Sequence, residues 1–179
     1  ECGAECGGNR NPAELIHRHV RHNRVVPHRG PIRRGENAVN NVQAAIDKLQ
    51  SMQLSNGALS YWQGGGYESW WGTIYAAHFL LEAQKAGYYV NDKTLNKMYG
   101  YMNSRLKTKE LEFMYYADGS KKEVIKSEVP YSLYVLALAD EAKTSELNYY
   151  KSNPELLTQS GRYLIAAAFA LKGDKKKFY

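Results

Sequence analysis

The sequence predicts an all-α fold. Three observations carry that prediction. Apolar residues recur at three-four spacing from Asn37 onward. Two of the resulting segments are apolar nearly all round, as buried helices are. Glycines and capping residues also fall where helices of that spacing should end.

The first helix is carried by Val39, Val42, Ala45, Ile46, Leu49 and Met52, one stripe along about four turns. Asn56-Gly57 marks a turn, and Ala58 to Trp62 reads as a short extended piece. Ser69 is placed to cap a second helix through Trp70, Trp71, Ile74, Ala77, His78, Leu81 and Ala86, with Gly87 at the left-handed C-terminal position. A third helix runs from Asp92, as cap, through Leu95, Met98, Tyr99, Met102 and Leu106. Lys107 to Lys126 is mixed and tyrosine-rich, with a turn at Asp118-Gly119. Ser127 is expected to cap a fourth helix, "SEVPYSLYVLALADEA", with Pro130 tolerated in its first turn. A fifth is expected from Asn153 and Pro154 through Leu157, Tyr163, Leu164, Ala167 and Leu171, closing at Gly173. Amphipathic and wholly apolar helices alternate, the pattern of helical hairpins laid side by side with an inner ring behind an outer one. The segments are too few to close a ring. The fold class is therefore a partial α/α toroid whose open apolar edge needs a cover.

The net charge of +6 is unevenly placed. Residues 1–36 hold seven of the nine arginines and four of the five histidines, with no lysine and no tyrosine. Residues 37–179 carry 17 basic and 14 acidic groups without a stripe, which argues against a nucleic-acid partner. The domain reading is thus an atypical Arg/His-rich segment at 1–36, a helical body at 37–174 and a basic tail at 175–179. No apolar run is long enough for a membrane span, and no signal peptide is visible. Cys2 and Cys6 are the only cysteines, too few for a disulfide framework or a zinc site. No cofactor and no metal is expected.

The stretch from Ser55 to Tyr88, "SNGALSYWQGGGYESWWGTIYAAHFLLEAQKAGY", concentrates the three tryptophans and a triple glycine. A dinucleotide fingerprint fails because Gly64 and Gly66 are followed by Ser69 at the sixth place. A phosphate loop fails for want of a lysine before Ser or Thr. Trp70 and Trp71 point about 100° apart in a helix, so at least one belongs to the core. His78 reads as a hydrogen-bonded core histidine, since no second catalytic group stands at a suitable spacing. The stretch is a structural corner that delivers the chain into a buried helix, and no catalytic residue is assigned.

The order of residues carries a resemblance. "AIDKLQSMQLSNGALSYWQGG" followed by "WGTIYAAHFLLEAQKAGYYV" closely resembles the bacterial α2-macroglobulins. The matching positions are Met52-Gln53, Gly57, Tyr61-Trp62, Gly64-Gly65, Trp71, Thr73, Tyr75-Ala76, His78 to Leu81, Glu82-Ala83, Gly87-Tyr88 and Val90. "YSLYVLALA", "LNYY" and "LIAAAFALKGD" resemble later helices of the same domain, so the match runs over about residues 37–174. The resemblance implies the thioester-bearing α/α toroid of a large secreted or periplasmic protease trap, an endopeptidase inhibitor and not an enzyme. Its implied partners are proteases, met through the parent inhibitor, and neighbouring domains of a longer chain. In that family an internal Cys–Gln thioester, within G-C-x-E-Q, survives only while shielded from water. Aromatic packing at Trp62, Trp70 and Trp71 would serve as such a shield.

The reactive motif is absent as written. Cys2 is followed three places later by Glu5, Cys6 by Gly7, Gly8 and Asn9, and no glutamine precedes Gln43. The histidine used by members that favour hydroxyl acceptors is also missing, because none follows His78. Residues 1–36 read like an out-of-frame stretch. Back-translated one base later, their codons permit "PQSLYTDMFDITELSPTEAQ", close to the family's segment after the thioester. Such a segment is expected to be disordered or poorly packed. Two other classes stay open: an α/α-toroid enzyme of the terpene cyclase or polysaccharide lyase kind, and a non-catalytic interaction module. For the first, the sequence offers only Asp140-Glu141 at a helix end.

Overall fold

Alternation of buried and exposed positions organises six helices, among the described residues, around one apolar core. The computed structural model describes residues 33–173. The expectations for the Arg/His-rich segment and for the basic tail lie outside the described residues, apart from the opening of the first helix. The chain divides into two units, residues 1–37 and 38–179, and the core belongs to the second.

Helix α1 (Arg33–Ser51) leads through a short antiparallel ribbon, β1 (Leu59–Ser60) with β2 (Glu68–Ser69), into α2 (Trp70–Lys85). Then come α3 (Asp92–Leu106), a hairpin of β3 (Leu111–Tyr115) and β4 (Lys121–Ile125), α4 (Glu128–Leu138), α5 (Thr144–Ser152), a 3-10 turn at Pro154–Leu156, and α6 (Gln159–Leu171). The described body is mainly helical, as its periodicity predicts. Helix α4 sits innermost, packed on α6, α2 and α3. Val129, Leu133, Val135 and Leu136 are all essentially inaccessible, which explains why this segment is apolar on nearly every side. Helix α1 is covered least. Among its described side chains Ile46 alone is fully buried, Val42, Leu49 and Met52 are half-buried, and Val39 and Ala45 of the same stripe face solvent.

The helix ends show how local chemistry sets the boundaries. Ser69 caps α2 by accepting from the Gly72 N–H at 3.1 Å. At the other end Gly87 has φ +92, and the Tyr88 N–H reaches the Ala83 carbonyl while Gly87 N–H reaches Gln84, a Schellman closure. Helix α4 ends the same way with a non-glycine: Asp140 has φ +61, and the Glu141 N–H bonds the Leu136 carbonyl at 2.8 Å.

Several boundaries differ from the sequence reading, among them the end of α4, which stops at Leu138 and not at the expected Ala142. The cap of α3 is Asn91, whose side chain accepts from the Lys93 N–H, so Asp92 is the first helical residue. Ser127 stands at the head of α4 but makes no capping bond; its backbone is already helical and its hydroxyl turns to Glu128. The expected fifth helix starts later than Asn153, and a separate helix that periodicity did not reveal precedes it. Residues 144–152 form α5 on their own, Pro154 opens only a 3-10 turn, and α6 starts afresh under a Thr158 cap that accepts from Gly161 N–H at 3.1 Å. Replacing Thr158 with Ala is expected to lower stability by about 1 kcal/mol, read as a lower urea midpoint at unchanged slope.

The mixed stretch resolves into the β3–β4 hairpin, paired from Leu111↔Ile125 to Tyr115↔Lys121. Its turn lies where predicted: Asp118 Oδ1 accepts from the Ser120 N–H and hydroxyl, and Gly119 takes φ +81. Val124 and Ile125 anchor the ribbon in the core, while Leu111, Phe113 and Tyr115 face out.

Candidate functional site

The corner is assembled around one glycine. Gly57 is buried with φ +91, and a Cβ there would fall on the backbone carbonyl of Lys97 in α3. Only a residue without a side chain lets the turn lie directly on that helix. Gln53 completes the clamp, its Nε2 donating to the Thr94 carbonyl at 2.9 Å and to the Gly57 carbonyl at 3.3 Å. Met52 packs half-buried on the core, and its carbonyl accepts from Ser60 N–H at 3.0 Å. The chain then turns at Gln63-Gly64. Gly64 takes φ +76 and Gly65 N–H closes on the Trp62 carbonyl at 3.0 Å, with the left-handed third residue of a type II turn. A Cβ on Gly65 would press on the Ser60 hydroxyl at 2.7 Å.

A buried polar thread ties the corner to the core. Thr73 Oγ1 donates to the Ser69 carbonyl at 2.6 Å and accepts from Leu59 N–H at 2.8 Å. Trp70, 6% exposed, donates its indole N–H to the fully buried Ser132 hydroxyl at 3.1 Å. The Arg105 guanidinium lies 4.7 Å over the Trp70 ring and pairs with Glu110 at 2.6 Å. Neither Ser132 nor Arg105 stands out in the sequence, because each meets Trp70 from a distant helix.

The remaining aromatics face the other way. Trp62 is 73% exposed and Trp71 54%. Tyr61 meets Trp62 edge-on at 5.2 Å, and Trp71 stacks on Tyr75 at 5.1 Å with an 8° tilt. The shield implied for Trp62 and Trp71 is therefore not made by the described residues: both rings point outward, and only Trp70 is core. His78 follows Trp71 and Tyr75 on the same face of α2, half-buried. Its Nδ1 stands 3.0 Å from the Tyr131 hydroxyl, and its ring lies edge-on to Tyr131 and Tyr134 of α4. Tyr131 and Tyr134 share one face of α4 at i, i+3 spacing, a signal present in the sequence but legible there only as burial.

Burial holds the His78 imidazole below its ordinary pKa, and Lys85 adds to this while Glu82 opposes it. The sign follows from proton counting. The unfolded chain binds a proton at this position near the usual histidine value, whereas the folded chain binds it only at lower pH, so stability falls as pH drops through about 6.5. Urea midpoints measured at about pH 7.5 and 5.5, on either side of that value, should show a larger loss in the parent chain than in His78→Gln.

No family model matches the chain. It is 29% identical over 138 residues to the alpha-2-macroglobulin of Xylella fastidiosa strain Temecula1, an alignment covering 76% of this chain and 8% of that protein. The native Escherichia coli alpha-2-macroglobulin superposes with a TM-score of 0.65 at 21% identity, over 80% of this chain and 9% of that one. The Salmonella protein reacted with methylamine superposes at 0.59 and 23% identity, over 76% of this chain and 9% of its own. The chain thus spans less than a tenth of the length of the curated relatives it matches. In residue order and in fold, the chain is similar to the bacterial alpha-2-macroglobulins.

Proposed function

We propose that residues 37–173 are scaffold from the thioester-type α/α toroid of a protease-trapping inhibitor, with the reactive motif missing from the chain as written. The observation that carries this reading is the glycine corner. Gln53, Gly57, Gly64 and Gly65 occupy the family's motif positions, and each has a geometric duty that other residues would not fill. The lightly covered face of α1 and the outward Tyr61, Trp62, Trp71 and Tyr75 support a body that packs against further segments of a longer molecule. Under this reading the chain has no catalytic residue. Its partners are neighbouring domains and, through them, proteases. Its place is the periplasm or cell envelope.

Intact-mass measurement after exposure to methylamine, and separately to trypsin, tests this directly. The expected result is no methylamine adduct and no covalent protease adduct, with Salmonella alpha-2-macroglobulin as the methylamine-reactive control. A methylamine adduct on this chain would overturn the proposal that its thioester chemistry is lost. A turnover of isoprenoid or polysaccharide substrate would overturn the scaffold reading altogether.

A further inference from the structure

A cleft of about 520 Å³ lies where the end of α2, the start of α3 and the end of α4 meet, within the size range of small-ligand sites. It shares no lining residue with the glycine corner, and nothing in the proposed function uses it. Its floor is apolar: Leu81, Leu95 and Leu138. Its polar rim is acidic, with Asp92, Asp140 and Glu141 against the single cation Lys85.

Some of these charges are already engaged. Lys85 pairs with Glu82 at 2.7 Å, Asp140 with Lys172 at 2.7 Å, and Asp92 Oδ1 accepts from Gln84 Nε2 at 3.0 Å. Glu141 is not: its carboxylate has no hydrogen-bond or ion-pair partner among the described residues. Tyr99 is the decisive group. Only 8% exposed, it lines the cleft, and its hydroxyl makes no hydrogen bond among the described residues. Burial, with Glu141 and Asp92 close by, pushes the phenol up to about 12, so it is neutral and able to accept from a cation as well as donate. The hydroxyl atom itself stays accessible, so a donor entering the cleft can meet it.

We propose that this cleft binds a lysine side chain presented by a partner polypeptide, its ammonium between Tyr99, Glu141 and Asp92 and its stem along Leu81, Leu95 and Leu138. The ligand must bring donors, because the groups left open are the Glu141 carboxylate, the second Asp92 oxygen and the Tyr99 phenol oxygen. Asp92 and Tyr99 stand on α3 and Glu141 just after α4, and this set of single acceptors suits a compact ammonium with three donors better than the planar fork of a guanidinium. The three leucines suit an alkyl stem. This inference stands apart from the scaffold reading, since it uses none of the same residues.

The test is an NMR titration of the full chain with Nα-acetyl-lysine methylamide, with the Nε-acetylated compound as control. Saturable shifts at Tyr99 and Glu141, with a Kd of about 1 mM, are expected for the first compound and not for the second. Glu141→Gln should weaken binding about tenfold by removing a charge-assisted bond. Tyr99→Phe should weaken it about threefold, and Glu155→Gln, on the 3-10 turn, should change nothing. Repeating the titration with Lys175, Lys176 and Lys177 changed to Gln removes the chain's own lysines as competitors. Binding that appears only then also supports a lysine site, filled from within. No saturable shift in either background, or equal binding of the Nε-acetylated compound, would overturn the proposal.

Discussion

Gly57→Ala is expected to destabilise the body by about 3 kcal/mol, combining a strained backbone with forced overlap. At φ +91 any side chain is disfavoured, and here the added carbon meets the Lys97 carbonyl, part of a helix backbone that cannot step aside. The loss would also loosen Gln53, whose amide spans Gly57 and Thr94. Gly64 supplies the internal control. It too has a positive φ, +76, but nothing lies within 4 Å of where its Cβ would stand, so Gly64→Ala should cost only about 1 kcal/mol. Urea unfolding of the two variants separates these outcomes. Equal losses would mean that the corner does not rest on α3.

Trp70→Ala should cost about 3–5 kcal/mol, the range for emptying a buried large aromatic position. The substitution also leaves the Ser132 hydroxyl buried without its indole partner and removes the ring beneath Arg105. Trp70→Phe keeps most of the volume and should cost about 1–2 kcal/mol, chiefly through that orphaned hydroxyl. Trp71→Ala, one residue along, should cost less than about 1 kcal/mol, since it forfeits only an exposed stack on Tyr75. Thermal unfolding reads the contrast at about 2–4 °C per kcal/mol. A large loss at Trp71 with little at Trp70 would reverse the assignment of core and surface.

Much of this fold was legible because helices with a buried stripe write their period into the chain. The spans of α2, α3 and α4 follow from residues such as Ile74, Met98 and Leu136, all fully buried. The corner was legible as a motif, yet its logic was not. That Gly57 must lie on Lys97 is a contact between distant parts of the chain, and no local pattern contains it. The hairpin escaped because its outward face carries Leu111, Phe113 and Tyr115, which blurs the alternation expected of a half-buried ribbon. Helix α5 escaped because only Leu147 and Tyr150 are buried and no side chain caps it. Among the tryptophans, sequence reasoning required one core ring but could not choose it. The choice rests on Ser132 and Arg105, which the fold alone brings to Trp70. The acidic cleft was invisible for the same reason: Asp92, Tyr99 and Glu141 are ordinary until three helix ends converge.

The central proposal is that this body comes from a thioester-type domain whose reactive motif is missing from the chain as written. Reading the coding DNA through and upstream of codon 37 in all three frames tests it most directly. The account predicts one shifted frame that runs G-C-x-E-Q into P-Q-x-L-Y and then joins the written frame by Asn37. An unbroken written frame with no such motif upstream would contradict it.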